Sequence, residues 1–298
     1  MTGKEYSALR AWFEDYAAGF GENGGLPPML ELKRLHSLRV AENAGLLANG
    51  LGRGKAPLVQ AAGLLHDVGR FSQFRTYGSF RDADTVDHGA EGRKVLQERA
   101  SGLFRDPREG ECLFAAVEFH NRRTEDIPSL EENSAALLGL LRDADKLDII
   151  EVVLDSVAAD GFQDLPAMLP HIGLGRELTP GLLAKAAAGE GLYSSELRTV
   201  ADMLLLAASW FYDLNSPAAH RLAARRGLLP RLRRELPATE EVNLFFSELE
   251  RESKSAAGDF ASRGDRKSGV RDRSPLRKAI QEWMTGNRAA LKKRGAMP

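Results

Sequence analysis

Ala61-Ala62-Gly63-Leu64-Leu65-His66-Asp67-Val68-Gly69-Arg70 sets a histidine and an aspartate side by side at the end of an apolar run. Neighbouring helix residues do not share a face, but an adjacent imidazole and carboxylate can straddle a cleft, the first binding one cation and the second bridging to another. A carboxylate suits that bridge because it has two oxygens and places negative charge between two cations. The other ligands must come from other segments. The chain supplies them in order: His36 before the pair, His88 and His120 after it, and Asp145 within Asp143-Ala144-Asp145-Lys146-Leu147. His36 and Asp145 can complete the set of one ion, leaving His88 and His120 for a second.

The order His, His-Asp, His, His, Asp, together with Leu64-Leu65-His66-Asp67-Val68-Gly69-Arg70 and Asp143-Ala144-Asp145-Lys146-Leu147, resembles the HD-domain metal-dependent phosphohydrolase superfamily over roughly residues 30–155. The resemblance implies that His36, His66, Asp67 and Asp145 are the defining metal ligands. It implies that His88 and His120 are the two extra histidines of two-metal members. It further implies an all-helical fold, two divalent ions (Mn, Fe, Mg, Co or Zn) and hydrolysis of phosphate esters or anhydrides. Two departures narrow the class. Members that cleave cyclic dinucleotides carry a second histidine and Gly-Tyr-Pro just past the position of His120, where this chain reads Asn121-Arg122-Arg123. Monophosphatases of the superfamily carry an acidic residue shortly after His-Asp, where this chain has Arg70. Members that cleave dinucleoside polyphosphates share the two-histidine pattern, so a nucleotide or dinucleotide is the expected phosphorylated substrate.

The chemistry expected from such a site is attack on phosphorus by hydroxide, formed from a water that two cations share and acidify. Asp67 holds the ion pair together in this scheme, and Arg70 and Lys146 neutralise charge on phosphoryl oxygens. Arg122 and Arg123 are placed to meet a further phosphate. The segment from Gln73 to Arg81 mixes rings with cations, so Tyr77 can stack a base while Arg75 binds phosphate. Each of these has a plainer alternative. Arg70 can interact with its own helix C-terminus, Lys146 can pair with Asp143, and Arg122 and Arg123 can form a solvated turn. The aromatic segment can simply cover the core. His171 and His220 lie outside the series and are expected to do nothing chemical.

Periodicity predicts helices over 5–20, with Leu9, Trp12, Phe13, Tyr16 and Phe20 on one side, and over 29–51, with His36, Val40, Leu46 and Leu47 inward. Further helices are expected over 58–71, 89–98 capped by Asp87, 110–120, and from a cap at Asn133 or Ser134 through Asp145 to about 157. An irregular loop is expected over 72–86, a Pro/Gly-rich connector over 160–175, and helices over 196–212 and 218–234. No strand pattern appears. The expected organisation is therefore all-α: an N-terminal helix (1–28), an HD domain (29–158), a helical extension (159–250) and a tail (251–298). A disordered linker fills 254–275 of that tail and a short basic helix 276–294.

Of the 298 residues 43% are hydrophobic, enough for a sizeable core, and the single cysteine, Cys112, rules out an internal disulfide framework. Cys112 reads as a buried helix residue. The net charge of −1 divides unevenly, since residues 251–298 hold 13 Lys/Arg against 5 Asp/Glu. A basic tail can touch nucleic acid or a membrane surface, although a solvated extension is its commoner use. No run is long and apolar enough for a signal or a span, so a cytoplasmic location is expected. Two rival functions remain open on sequence alone: oxygenase chemistry at two irons held by the same ligands, and a regulatory module that only binds a ligand or partner. Trp210-Phe211-Tyr212 can build a pocket wall or a dimer face.

Overall fold

Two C-terminal helix ends carry histidines of the series, and the fold serves to bring those ends together. The structure, a computed structural model, describes residues 1–22, 24–49, 55–163, 169 and 171–258. These residues are all-α, with no strand among them and only isolated bridges at Glu22–Gly25 and Gly173–Thr199. They form two compact units, one ending at Asp145 and the other starting at Lys146.

In the first unit, α1 (Gly3–Ala18) begins at a capping box. Thr2 accepts from the Glu5 amide while the Glu5 carboxylate accepts from the Thr2 amide. Its buried face of Leu9, Phe13 and Ala17 follows the helical period, and Trp12 and Tyr16 stack at the margin, 5.2 Å between centroids. Phe13, Tyr16 and Phe20 all meet Phe71, at centroid distances of 5.9, 5.9 and 5.6 Å. Phe13 and Phe71 are fully buried, each worth about 2–3 kcal/mol of transfer free energy. This cluster fixes the backbone four residues beyond Asp67.

Helix α2 (Pro28–Ala48) carries His36 and α3 (Ala56–Leu65) ends at His66. They touch through Gly63, where a Cβ would lie 2.8 Å from the Val40 carbonyl oxygen and 3.0 Å from Ala41. That approach brings the His36 and His66 rings to 5.0 Å, edge to face. Val40 and Leu47 are buried as expected, but Leu46 is exposed, not inward, because the buried stripe passes through Ala44, Leu47 and Ala48. The expected end of this helix at Leu51 lies outside the described residues.

The helix expected over 58–71 is interrupted at residues 66–68, and a second helix, α4 (Gly69–Tyr77), replaces the first part of the loop expected over 72–86. Phe71 and Gln73 turn into the core, and Gly78 closes the helix at φ 65°, a left-handed cap. The mixture of rings and cations hid this helix from periodicity. Gly69 is the contact with α5 (His88–Arg99): its Cβ would lie 2.3 Å from the His88 carbonyl oxygen and 2.6 Å from the Gly92 nitrogen. Asp87 caps α5 as expected, accepting from Gly89 and Ala90. Helix α6 (Pro107–Phe119) follows, capped by Asp106, and ends at His120.

Helix α7 (Glu132–Asp160) starts before Asn133 and Ser134, so neither caps it; the Ser134 hydroxyl instead donates to Cys112 Sγ at 3.3 Å. Cys112 is half-buried, not buried. The Asn43 amide, buried on α2, donates 3.2 Å to the Ala144 carbonyl and pins α7 beside His36 one residue before Asp145.

The second unit contains the rest of α7, then α8 (Leu182–Ala187), α9 (Val200–Ser209), α10 (Pro217–Arg225), α11 (Leu228–Glu235) and α12 (Glu240–Gly258). Arg226 and Arg231 bind Glu151 and Asp155 of α7 at 2.6 and 2.5 Å. The helix expected over 196–212 is reduced to α9 because Thr199 caps it late and Trp210–Asp213 tightens into a 3-10 turn. The helix expected over 218–234 is divided by Gly227 at φ 62°. Phe211 is buried, and Tyr212 packs against Phe245 at 6.3 Å within this unit. Helix α12 went unread in the sequence although Val242, Phe245, Phe246 and Leu249 mark its buried face. It reaches Gly258, so the linker does not begin at Lys254. The remaining linker and the basic helix expected over 276–294 lie outside the described residues.

Candidate metal centre

Asp67 is 2% exposed, and its two oxygens face different histidine pairs. Oδ2 lies 3.5 Å from His66 Nε2 and 3.7 Å from His36 Nε2, while Oδ1 lies 3.4 Å from His88 Nε2 and 3.8 Å from His120 Nε2. Asp145 Oδ1 joins the first pair, 3.1 Å from His36 Nε2 and 3.7 Å from His66 Nε2. All six residues expected as ligands therefore converge, four from helix ends or starts and two from helix interiors. Among these six, two donor sets result, His36–His66–Asp67 and Asp67–His88–His120, and a third group, Asp82–Asp87–His88, adjoins the second.

The local chain explains why the histidines aim their Nε2 atoms inward. His66 and His120 each follow the last residue of a helix, and each uses Nδ1 to donate to the carbonyl three residues back, Gly63 at 2.8 Å and Val117 at 2.7 Å. A terminal carbonyl that the helix leaves unpaired is satisfied, and the tautomer is fixed with a lone pair on Nε2. His88, first residue of α5, directs Nδ1 to Asp82 Oδ2 at 2.5 Å, which fixes the same tautomer. The 3.1 Å separation of His88 Nε2 and His120 Nε2 is thus a contact between two acceptors. A cation between them is the chemical remedy. Asp145 Oδ1 is also buried without a well-formed hydrogen bond, an acceptor that suits a cation in the other set. By these donors the site fits divalent metal.

Electrostatics agree with that chemistry. Burial pushes His66 down to about 4 and His88 down to about 4, so both rings are neutral near neutral pH. Burial alone would raise Asp67, but Lys33, His66, His120 and Arg70 overrule it and hold the carboxyl well below the usual range. Asp145 is likewise held low against burial by His36 and His66. Two cations flank Asp67: Lys33 Nζ donates to Oδ2 at 2.7 Å, and Arg70 Nε lies 3.6 Å from Oδ1.

Arg70 is occupied. Its Nη1 donates to Asp82 at 2.7 Å, to Gln73 at 2.8 Å and to the Phe80 carbonyl at 2.6 Å. Asp82 also accepts from Gln73 at 3.0 Å and Asn121 at 3.1 Å, and these contacts with His88 and Arg70 keep it ionised despite burial. Arg75, Arg122 and Arg123, also expected to bind substrate, have defined partners too. Arg75 donates to the Gly19 carbonyl at 2.7 Å and lies 4.1 Å over the Phe20 ring. Tyr77 is exposed at the end of α4. Arg122 pairs with Asp87 at 3.0 Å and Arg123 with Glu125 at 3.4 Å. Lys146, in the second unit, donates to the Asp213 carbonyl at 3.2 Å.

Lys33, Asp82, Gln73 and Asn121 were missed in the sequence. Lys33 had a signal, since it stands three residues before His36 and so on the same helical face. Asp82 had none, because only the fold places it behind His88. His171 and His220 stand apart as expected, bonded to the Ser194 carbonyl at 2.9 Å and to the Ser253 hydroxyl at 3.0 Å.

No described helix is long and apolar enough to cross a membrane. No curated protein and no solved structure matches the chain. The family model described as HD domain matches residues 35–150, a span that contains all six converging candidate ligands. Over those residues the chain is similar to the HD domain family.

Proposed function

We propose that this protein is a metal-dependent hydrolase of phosphate esters or anhydrides, acting with two divalent ions on a nucleotide or dinucleotide and located in the cytoplasm. The division of the two Asp67 oxygens between two histidine pairs is the observation that carries this reading. His36, His66, Asp67 and Asp145 would hold one ion, and Asp67, His88 and His120 the other. When bound there, such ions supply Lewis acidity toward phosphoryl oxygens and a water acidic enough to serve as nucleophile near neutral pH.

The chain's own residues supply orientation and charge. Asp82 keeps the proton of His88 on Nδ1, so Nε2 stays a donor of electrons. Arg70 locks Asp82 and the Phe80 backbone in place, and its guanidinium adds positive potential beside Asp67. Arg122 is the substrate-side arginine in this proposal, because its neighbour Asn121 donates to both Asp82 and Asp87 beside His88. Arg75, clamped on Gly19 and Phe20, secures α4 to the N-terminal helix.

The test is phosphate release from mono-, di- and dinucleotide phosphates with added Mn2+, Fe2+ or Mg2+, comparing Asp67→Ala. Retention of full activity by the variant overturns the reading. Oxygen uptake by iron-loaded protein without phosphate release would turn the assignment to oxygenase chemistry.

A further inference from the structure

The two cations beside Asp67 differ in how they are held. Arg70 Nη1 is fixed by three acceptors, Asp82, Gln73 and the Phe80 carbonyl. Lys33 has a single hydrogen-bond acceptor among the described residues, Asp67 Oδ2 at 2.7 Å, and its ammonium otherwise lies 5.7 Å from the centroid of the half-buried Phe80 ring. Its side chain is 19% exposed against 3% for Asp67, so it connects the buried carboxylate to the outside.

Oδ2 is also the oxygen that faces His36 and His66. An ammonium at hydrogen-bond distance from that oxygen and a divalent ion ligated by it would repel strongly in a buried setting. His66 is tied to the Gly63 carbonyl and its ring cannot retreat without losing that bond. Lysine sits on a flexible four-carbon stem, and the Phe80 face offers its charge a second resting place. The group that yields is Lys33.

We propose that Lys33 is an exchangeable counter-ion of the metal centre, neutralising Asp67 in the metal-free protein, releasing Oδ2 to an incoming divalent ion, and then offering its ammonium to the phosphate of the substrate. The first two steps need only a metal site; the last rests on the phosphohydrolase reading above.

Acetic anhydride labelling of the full chain, followed by mass spectrometry at Lys33, reads the exchange without any assay of activity. Saturating Mn2+ should speed acetylation of Lys33 several-fold, and inorganic phosphate added to the Mn2+-loaded protein should slow it again. Calorimetry gives the second measure. Lys33→Met should bind Mn2+ about tenfold more tightly at one step, and its loaded form should bind inorganic phosphate about tenfold more weakly. Should that variant not fold, Lys33→Gln is read the same way. Labelling that ignores Mn2+, or variants with unchanged or weaker Mn2+ affinity, would overturn the exchange. If exchange occurs but phosphate neither slows labelling nor depends on Lys33, the phosphate step falls alone. Wild-type protein that takes up no Mn2+ removes the metal reading itself, and that outcome is recognisable from stoichiometry.

Discussion

His88 Nε2 and His120 Nε2 face each other at 3.1 Å with both Nδ1–H groups already committed, to Asp82 and to the Val117 carbonyl. Two lone pairs in contact inside a buried site store repulsion that a cation converts to attraction. Metal should therefore stabilise the fold by binding the native state alone. At a Mn2+ concentration a hundred times the dissociation constant the gain is about 2.7 kcal/mol for one site. Differential scanning calorimetry with Mn2+ and then with a chelator checks this; a melting temperature indifferent to both would contradict it.

Asp82 is not one of the six expected ligands, yet it fixes the tautomer of His88. Asp82→Asn should weaken metal affinity about 10–100-fold while leaving the helical content unchanged, since such supporting carboxylates are worth that much. Competition against a chromophoric chelator measures it. Affinity equal to wild type would mean that His88 is oriented by packing alone.

The metal-free protein should lose stability on mild acidification. His66 and His88 titrate at about 4 in the fold against 6.5 for a free imidazole. Between those limits the unfolded chain binds protons that the native state refuses, so stability falls as pH falls from 6.5 to 4. The slope approaches about 1.4 kcal/mol per pH unit for each ring. The low carboxyls Asp67, Asp82 and Asp145 add their own loss only below the ordinary carboxylate range. Urea denaturation at pH 7 and pH 5 with chelator present tests the window, and equal midpoints would refute it.

Gly69→Ala should damage the centre from behind. The added methyl would meet the His88 carbonyl oxygen at 2.3 Å and the Gly92 nitrogen at 2.6 Å, both backbone atoms that can yield only by moving α5. A cost of about 1–3 kcal/mol is expected, with weaker metal binding because His88 moves with its helix. Gly102→Ala, where a Cβ meets nothing within 4 Å, is the control.

Much of the site was legible in the chain. Six residues whose side chains prefer metals stood in one order, and every one of them reached the same buried point. The cap at Asp87 was legible too, whereas Asn133 and Ser134, expected as caps, lie inside α7. Helix limits were less so. The Ser72–Tyr77 stretch read as loop because its cations and rings follow tertiary partners, Gly19, Phe20 and Phe80, and not a surface stripe. Helix α12 carries a plain apolar period in the chain, with Val242, Phe245, Phe246 and Leu249 on its buried face.

By itself the sequence determined the all-helical class and the six candidate ligands that converge, because side-chain chemistry and helical period are local properties. Tertiary structure alone decided how the two oxygens of Asp67 are shared and which acceptors Arg70 and Lys33 take. It alone placed Asp82 behind His88. Those relations depend on how closely α2, α3, α4 and α5 approach through Gly63 and Gly69, and distances between segments far apart in the chain are fixed by packing, which no local pattern encodes.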